Sequence, residues 1–300
     1  MRSLTFIIVA VSAVWPATSA QARDVRRLQP SSKWVVNYGD DSCSLGRSFG
    51  EGDRKVTLFL EQFVPGDTFR MMLVGKSVDL RSQRNKVSVR FGPNEEESEE
   101  TGVAATTNNT PAIILHGHQR LAPLTDAEKS AAKAAVDRNM PFEPPSIGAA
   151  REKAATWLEL GRILRFNLVL ETGPMDEPLA ALRRCSWDTV RTWGLDVEQQ
   201  KRLTRKAYPT QSAYTWFSDD DYPGKMLSGG YEAIVNFRIL VDETGRATSC
   251  HIQSSTRPKD FDDVVCRIVM RRARFHPALD ARGKPAKSYW RQTVTFRMSS

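Results

Sequence analysis

YEAIVNFRILVDETGRATSCHIQSS (231–255), FDDVVCRIVMRRARFHPALD (261–280) and YWRQTVTFRM (289–298) are the stretches whose reading decides the architecture. From Tyr231 to Val241 apolar residues alternate. Tyr231, Ala233, Val235, Phe237, Ile239 and Val241 fall on one face, with Glu232, Asn236 and Arg238 on the other. That period of two predicts a half-buried strand. Asp242-Glu243-Thr244-Gly245 predicts a turn, and Ala247–Ser254 a second strand with Cys250 and Ile252 on one face. Phe261, Val264, Val265, Ile268 and Val269 then repeat at helical spacing. Asp260 is the expected N-cap; Asp262 and Asp263 sit in the first turn and Arg271, Arg272 and Arg274 near the last, matching the helix dipole at both ends. Pro277 stops the helix, and Trp290, Val294, Phe296 and Met298 mark a third strand. The order is β-β-α-β, one sheet face covered by one helix.

Around these elements stand Tyr222-Pro223, Gly229-Gly230, Val241-Asp242 with Gly245, Ser254-Ser255, Arg271-Arg272-Ala273-Arg274-Phe275 with Pro277-Ala278, and Gly283-Lys284-Pro285. Their order and spacing resemble the C-terminal domain of the TonB energy-transducer family. The resemblance covers about a quarter of the chain. It implies a periplasmic binding module, not an enzyme, that takes the TonB box of an outer-membrane receptor by strand addition. In that mode an open sheet edge accepts an extended peptide through backbone hydrogen bonds. The edge implied is the last strand, Ser288–Met298, with Tyr289, Arg291, Thr293 and Thr295 along it; Tyr222 and Pro223 are expected near the same docking region. Such a transducer carries an inner-membrane anchor and a long Pro-rich spacer. Here neither is expected, so peptide binding is the reading rather than autonomous energy transduction. The alternative is a structural or accessory envelope protein whose TonB-like fold has lost peptide binding and transducer activity, a reading favoured if that edge is already paired, through a homodimer or the first domain.

The start of the chain reads as an export signal. Arg2 precedes an apolar run, Leu4–Val14, and Ala20-Gln21-Ala22 offers a cleavage site, so residues 1–22 are expected to be removed and the protein to reach the periplasm. An uncleaved N-terminus serving as an inner-membrane anchor is the competing reading. Cys43, Cys185, Cys250 and Cys266 suit an oxidising compartment. Three pairings are possible; the local one joins Cys250 to Cys266 and leaves Cys43 for Cys185. Residues 222–300 hold 14 basic side chains against 7 acidic ones, whereas residues 23–221 balance at 28 of each. The basic module suits an acidic partner or membrane surface. No nucleic-acid motif and no small-molecule site or cofactor is evident.

The first domain is expected to span residues 23–207, and residues 208–221 to form a linker to the module at 222–300. Arg23–Ser32 reads as an arm. Strands are expected at Trp34–Val36, Cys43–Phe49, Val56–Phe63, Phe69–Val74, Val87–Phe91, Ala112–Leu115 and Ile163–Leu170, with an ambiguous segment around Trp157. Glu95–Glu100 reads as a solvated acidic loop. Thr125-Asp126-Ala127-Glu128 is a capping box opening a helix to about Arg138, and helices follow at Asp176–Trp193 and from Asp196. The class is α+β: a mainly antiparallel β domain with late helices. His116 and His118 share one side of a strand, but no further ligands can be placed, so no metal site is assigned. Ser130-Ala131-Ala132-Lys133 lies within a helix and carries no catalytic reading.

Overall fold

A computed structural model describes residues 24–78, 84–116, 119–161, 166–256 and 259–298. The expected signal segment with Ala20 and Ala22, the start of the Ile163–Leu170 strand and His118 lie outside the described residues.

The chain is α+β. The first domain contributes β1 (Val25–Leu28), β2 (Val35–Tyr38), β3 (Cys43–Phe49), β4 (Val56–Gln62), β5 (Thr68–Val74), β6 (Arg84–Gly92), β7 (Ser98–Thr107), β8 (Thr110–His116), β9 (Gln119–Arg120), β10 (Trp157–Gly161) and β11 (Asn167–Leu170). Among the described residues these form one sheet in the order β1-β11-β10-β6-β7-β8-β5-β4-β3-β2, with β9 on β5. Its helices are α1 (Asp126–Asp137), α2 (Ala149–Ala154), α3 (Asp176–Thr192) and α4 (Val197–Lys201). The Thr125–Glu128 capping box is formed, and Asp196 caps α4 by accepting from the Gln199 amide. Val56, Leu58 and Leu60 of β4 are buried with Cys43 and Leu45 of β3, and α3 lays Leu179, Leu182 and Cys185 onto them. The Cys43–Cys185 disulfide fixes that helix to the sheet across 142 residues of sequence.

Three expectations change in this domain. Arg23–Ser32 is not an arm: β1 pairs in parallel with β11, and Pro30 bridges to Phe49. Trp157–Gly161 is a full strand between β6 and β11. The acidic run is a solvated loop only at Glu96 and Glu97, which are exposed and outside any strand. Glu95 is buried against Arg151 at 2.7 Å, and Glu99 and Glu100 belong to β7. Ser98–Thr107 has few large apolar residues, so its composition reads as loop. Ladders offered by β6 and β8 on either side make it a strand.

The C-terminal module adds β12 (Tyr208–Pro209), α5 (Gly224–Ser228), β13 (Ala233–Val241), β14 (Ala247–Ser255), α6 (Lys259–Arg272), β15 (Phe275–His276), β16 (Ala278–Leu279), β17 (Pro285–Ala286) and β18 (Ser288–Phe296). Its main sheet runs β14-β13-β18, antiparallel throughout. The apolar stripe Phe261, Val264, Val265, Ile268 and Val269 is buried on the face formed by Val235, Phe237 and Ile239. The Cys250–Cys266 disulfide ties β14 to this helix. Asp260, expected as the N-cap, lies inside the first turn, because α6 already begins at Lys259. The turn between β13 and β14 depends on Gly245. Its φ is +81°, and a Cβ there would stand 2.0 Å from the Phe275 carbonyl oxygen.

The segment expected as a linker is packed. Trp216 is fully buried, in edge contact with Phe275 and Trp290, and β12 pairs with β15. Arg272 binds Asp221 at 2.6 and 3.1 Å and donates to the Trp216 carbonyl.

Candidate docking edge of the C-terminal sheet

β18 is the last strand of its sheet; among the described residues no strand pairs with its outer side. The hydrogen-bonding direction along it follows from its neighbours. Ile234, opposite Thr295, exchanges hydrogen bonds with Thr256 on the β14 side: its amide donates to Thr256 Oγ1 and its carbonyl accepts from the Thr256 amide. Alternation therefore turns the backbones of Tyr289, Arg291, Thr293 and Thr295 outward. The Thr293 amide agrees, since it donates to the side-chain carbonyl of its neighbour Gln292 at 3.1 Å rather than to β13. Gln292 thus caps the donor that an added strand would use.

The side chains of these four residues lie on the face opposite α6. Sequence reasoning left that face polar and half-buried. In the structure Asn236 and Arg238 are 8% and 6% exposed, because the first domain covers them. Arg238 stacks 4.0 Å above the Trp193 ring, and Trp193 meets Tyr289 edge-on. Arg291 lies 4.8 Å over Phe63 and donates to Asn236 Oδ1 at 2.9 Å; Thr293 Oγ1 donates to the same oxygen at 2.7 Å. Gln253 donates to the carbonyls of Asp41 and Phe63, and His251 meets the Asp41 carboxylate. Ser288 and the Lys287 carbonyl are held by Gln200 of α4. Burial lowers the pKa of Arg238 and of Arg291 to about 10, and it pushes the Tyr289 phenol up.

Tyr222 does not reach the outer edge with its hydroxyl. That group donates to the Tyr231 carbonyl at 2.6 Å, while the ring packs edge-on against Phe261 and Phe296. Burial pushes its phenol pKa up as well, reinforced by the Glu232 charge. Pro223 sits before the first residue of α5. Tyr222 and Pro223 thus brace the far end of the sheet, whereas Tyr289, Arg291, Thr293 and Thr295 share one row along β18.

A cleft of about 640 Å³ opens beside Tyr289–Gln292. Opposite walls come from the proline-rich segment after α1, from the β4–β5 turn and from residues 206–214. Sequence reading missed all three walls, since each is loop in composition. Pro141-Phe142-Glu143-Pro144-Pro145 is a dense proline signal there, and by itself it marks only where the helix from Thr125 must end. Among the described residues no group of three or more His, Cys, Asp or Glu could hold a metal ion, and no helix is long and apolar enough to cross a membrane.

A small α+β module whose three-stranded sheet has β18 as an edge strand is the class of structure these elements define. Residues 219–298 match the family described as Gram-negative bacterial TonB protein C-terminal, which places this module in that family and leaves the larger first domain outside the match. No curated protein matches the chain.

Proposed function

We propose that the chain is a periplasmic binding protein, not an enzyme, whose C-terminal module takes an extended segment of an outer-membrane transporter by strand addition along β18. In an envelope with TonB-dependent receptors that segment is their TonB box, and the role is in transport across the outer membrane. The observation that carries the reading is the unpaired outer side of β18, with its alternate backbone groups turned outward. The basic balance of residues 222–300 adds long-range attraction to an acidic partner.

A titration of the full chain with TonB-box peptides tests this. Saturable binding below millimolar peptide, with the amide resonances of Tyr289, Thr293 and Thr295 shifted, is the expected result. Absence of binding at millimolar peptide sinks it and leaves the accessory reading, in which this face serves only to hold the two domains together. A homodimer paired through β18 would instead show as a doubled mass in solution and would compete with the peptide.

A further inference from the structure

The geometry points to a composite docking site: the first domain supplies a side-chain pocket for the segment that pairs with β18, and the residue seated there is apolar and uncharged. This rests on the strand-addition reading and adds a specificity element to it.

The backbone and the cleft are continuous. β18 has nine residues, a span of roughly 30 Å. The cleft fronts its first half, at Tyr289–Gln292, while Thr295 near the other end is exposed. A strand added along the edge therefore runs over open surface at one end and into the cleft at the other. The volume falls in the range of side-chain and small-ligand pockets, roughly 300–1,000 Å³.

The chemistry of the occupant follows from what the walls have left to offer. The charges lining the cleft are already used: Lys206 pairs with Glu143 at 2.9 Å, Asp67 accepts from the Ile147 amide at 2.7 Å and from Arg183, and Arg291 donates to Asn236 Oδ1 at 2.9 Å. The apolar groups are not. Val136, Met140 and Tyr214, which line the cleft, are 71%, 44% and 85% exposed, and the lining residue Phe142 is half-buried. Exposed apolar side chains converging on a concavity mark a binding surface. The walls are also pre-set. Arg120 donates to the Pro145 carbonyl at 2.6 Å, and Asn139 donates to the Pro209 carbonyl at 2.7 Å, so ordering them on binding costs little. A charged residue at this position would lose its hydration with no partner to replace it.

The test uses the full chain and a blocked, fluorescein-labelled nonapeptide of alternating threonine and valine, with a single phenylalanine moved through every position. Binding is read by fluorescence polarisation. Phenylalanine at one position, or two alternate ones, is expected to tighten binding roughly tenfold, and aspartate there to weaken it by a similar factor. Tyr214→Ser and Phe142→Ala should remove the phenylalanine preference, so that the phenylalanine peptides bind no more tightly than the parent peptide. Tyr214 is so exposed that its replacement leaves the core intact. If peptides bind but phenylalanine gives no advantage, or if both variants keep it, the composite site is overturned and strand addition stands. If no peptide in the series binds, strand addition fails and the composite site falls with it.

Discussion

The Trp193 ring and the Arg238 guanidinium stack at 4.0 Å, joining the end of α3 to the central strand of the C-terminal sheet. Arg238 is 6% exposed, and among the described residues its Nε and Nη1 find no hydrogen-bond partner. Its desolvation is therefore offset mainly by the indole face and the more distant Asp41 charge. An apolar side chain of similar length should do as well. Arg238→Met is expected to change stability by less than about 1 kcal/mol, whereas Trp193→Ala, which uncovers the buried cation, should cost about 2 kcal/mol or more. Denaturant unfolding of both variants checks this. A larger loss in Arg238→Met than in Trp193→Ala would show that the guanidinium itself holds the domains together.

Thr295 offers the cleanest probe of the docking edge. It is exposed, and its amide points away from β13, so proline is tolerated there as it is on other solvent-facing strand edges. The ring removes a donor and blocks approach of a partner backbone. Thr295→Pro should leave the melting temperature within a few degrees of the parent and weaken peptide binding by roughly tenfold to a hundredfold. Calorimetry on the same samples gives both numbers. Unchanged affinity with an intact fold would move the docking site elsewhere.

The two disulfides should differ in weight. Cys43–Cys185 closes a loop of 142 residues and Cys250–Cys266 one of 16. In the chain-entropy account the first contributes about 5 kcal/mol and the second about 3 kcal/mol. Paired serine variants, unfolded in denaturant, should show the Cys43–Cys185 pair as the costlier loss. The reverse order would mean that the unfolded first domain keeps structure that replaces the crosslink.

The C-terminal module was legible because each of its signals is local. Alternation in Ala233–Val241 and the stripe from Phe261 to Val269 need only their own neighbours to be read. Capping at Thr125 and Asp196 was legible for the same reason. What escaped depends on distant partners. Asn236 and Arg238 read as solvent-facing because their surroundings are remote in sequence: Trp193 lies against Arg238, and Arg291, which donates to Asn236, lies over Phe63. Ser98–Thr107 became a strand through β6 and β8 rather than through its own propensity. Trp216 lies among small and polar residues that read as a linker, yet its ring is seated in the C-terminal core. Along β18 the row of residues was legible; the cleft walls facing it were not, because no local periodicity announces which loops will meet.

Asp221 links that packed segment to acid stability. Burial alone would raise its pKa, but hydrogen bonds from Arg272 and from the backbone and hydroxyl of Ser218 outweigh it and hold the carboxyl below its usual range. A carboxylate with a depressed folded-state pKa contributes stability above its unfolded pKa and loses that contribution as pH falls through the folded value. The contribution should thus be complete near neutrality and fade only below about pH 4. Asp221→Asn keeps the shape and removes the charge. It should be less stable than the parent at about pH 7, by roughly 1 kcal/mol for this partly exposed pair, and the gap should close at about pH 2. Because Arg272 also donates to the Trp216 carbonyl, the same titration should report at the buried indole. In the parent, acid should red-shift Trp216 emission, isolated by replacing the other tryptophans with phenylalanine. In Asp221→Asn that shift should already be present in part at neutral pH. A gap that persists unchanged at about pH 2 would mean that the ion pair does not hold the segment, and that packing of Trp216 on Phe275 and Trp290 is sufficient.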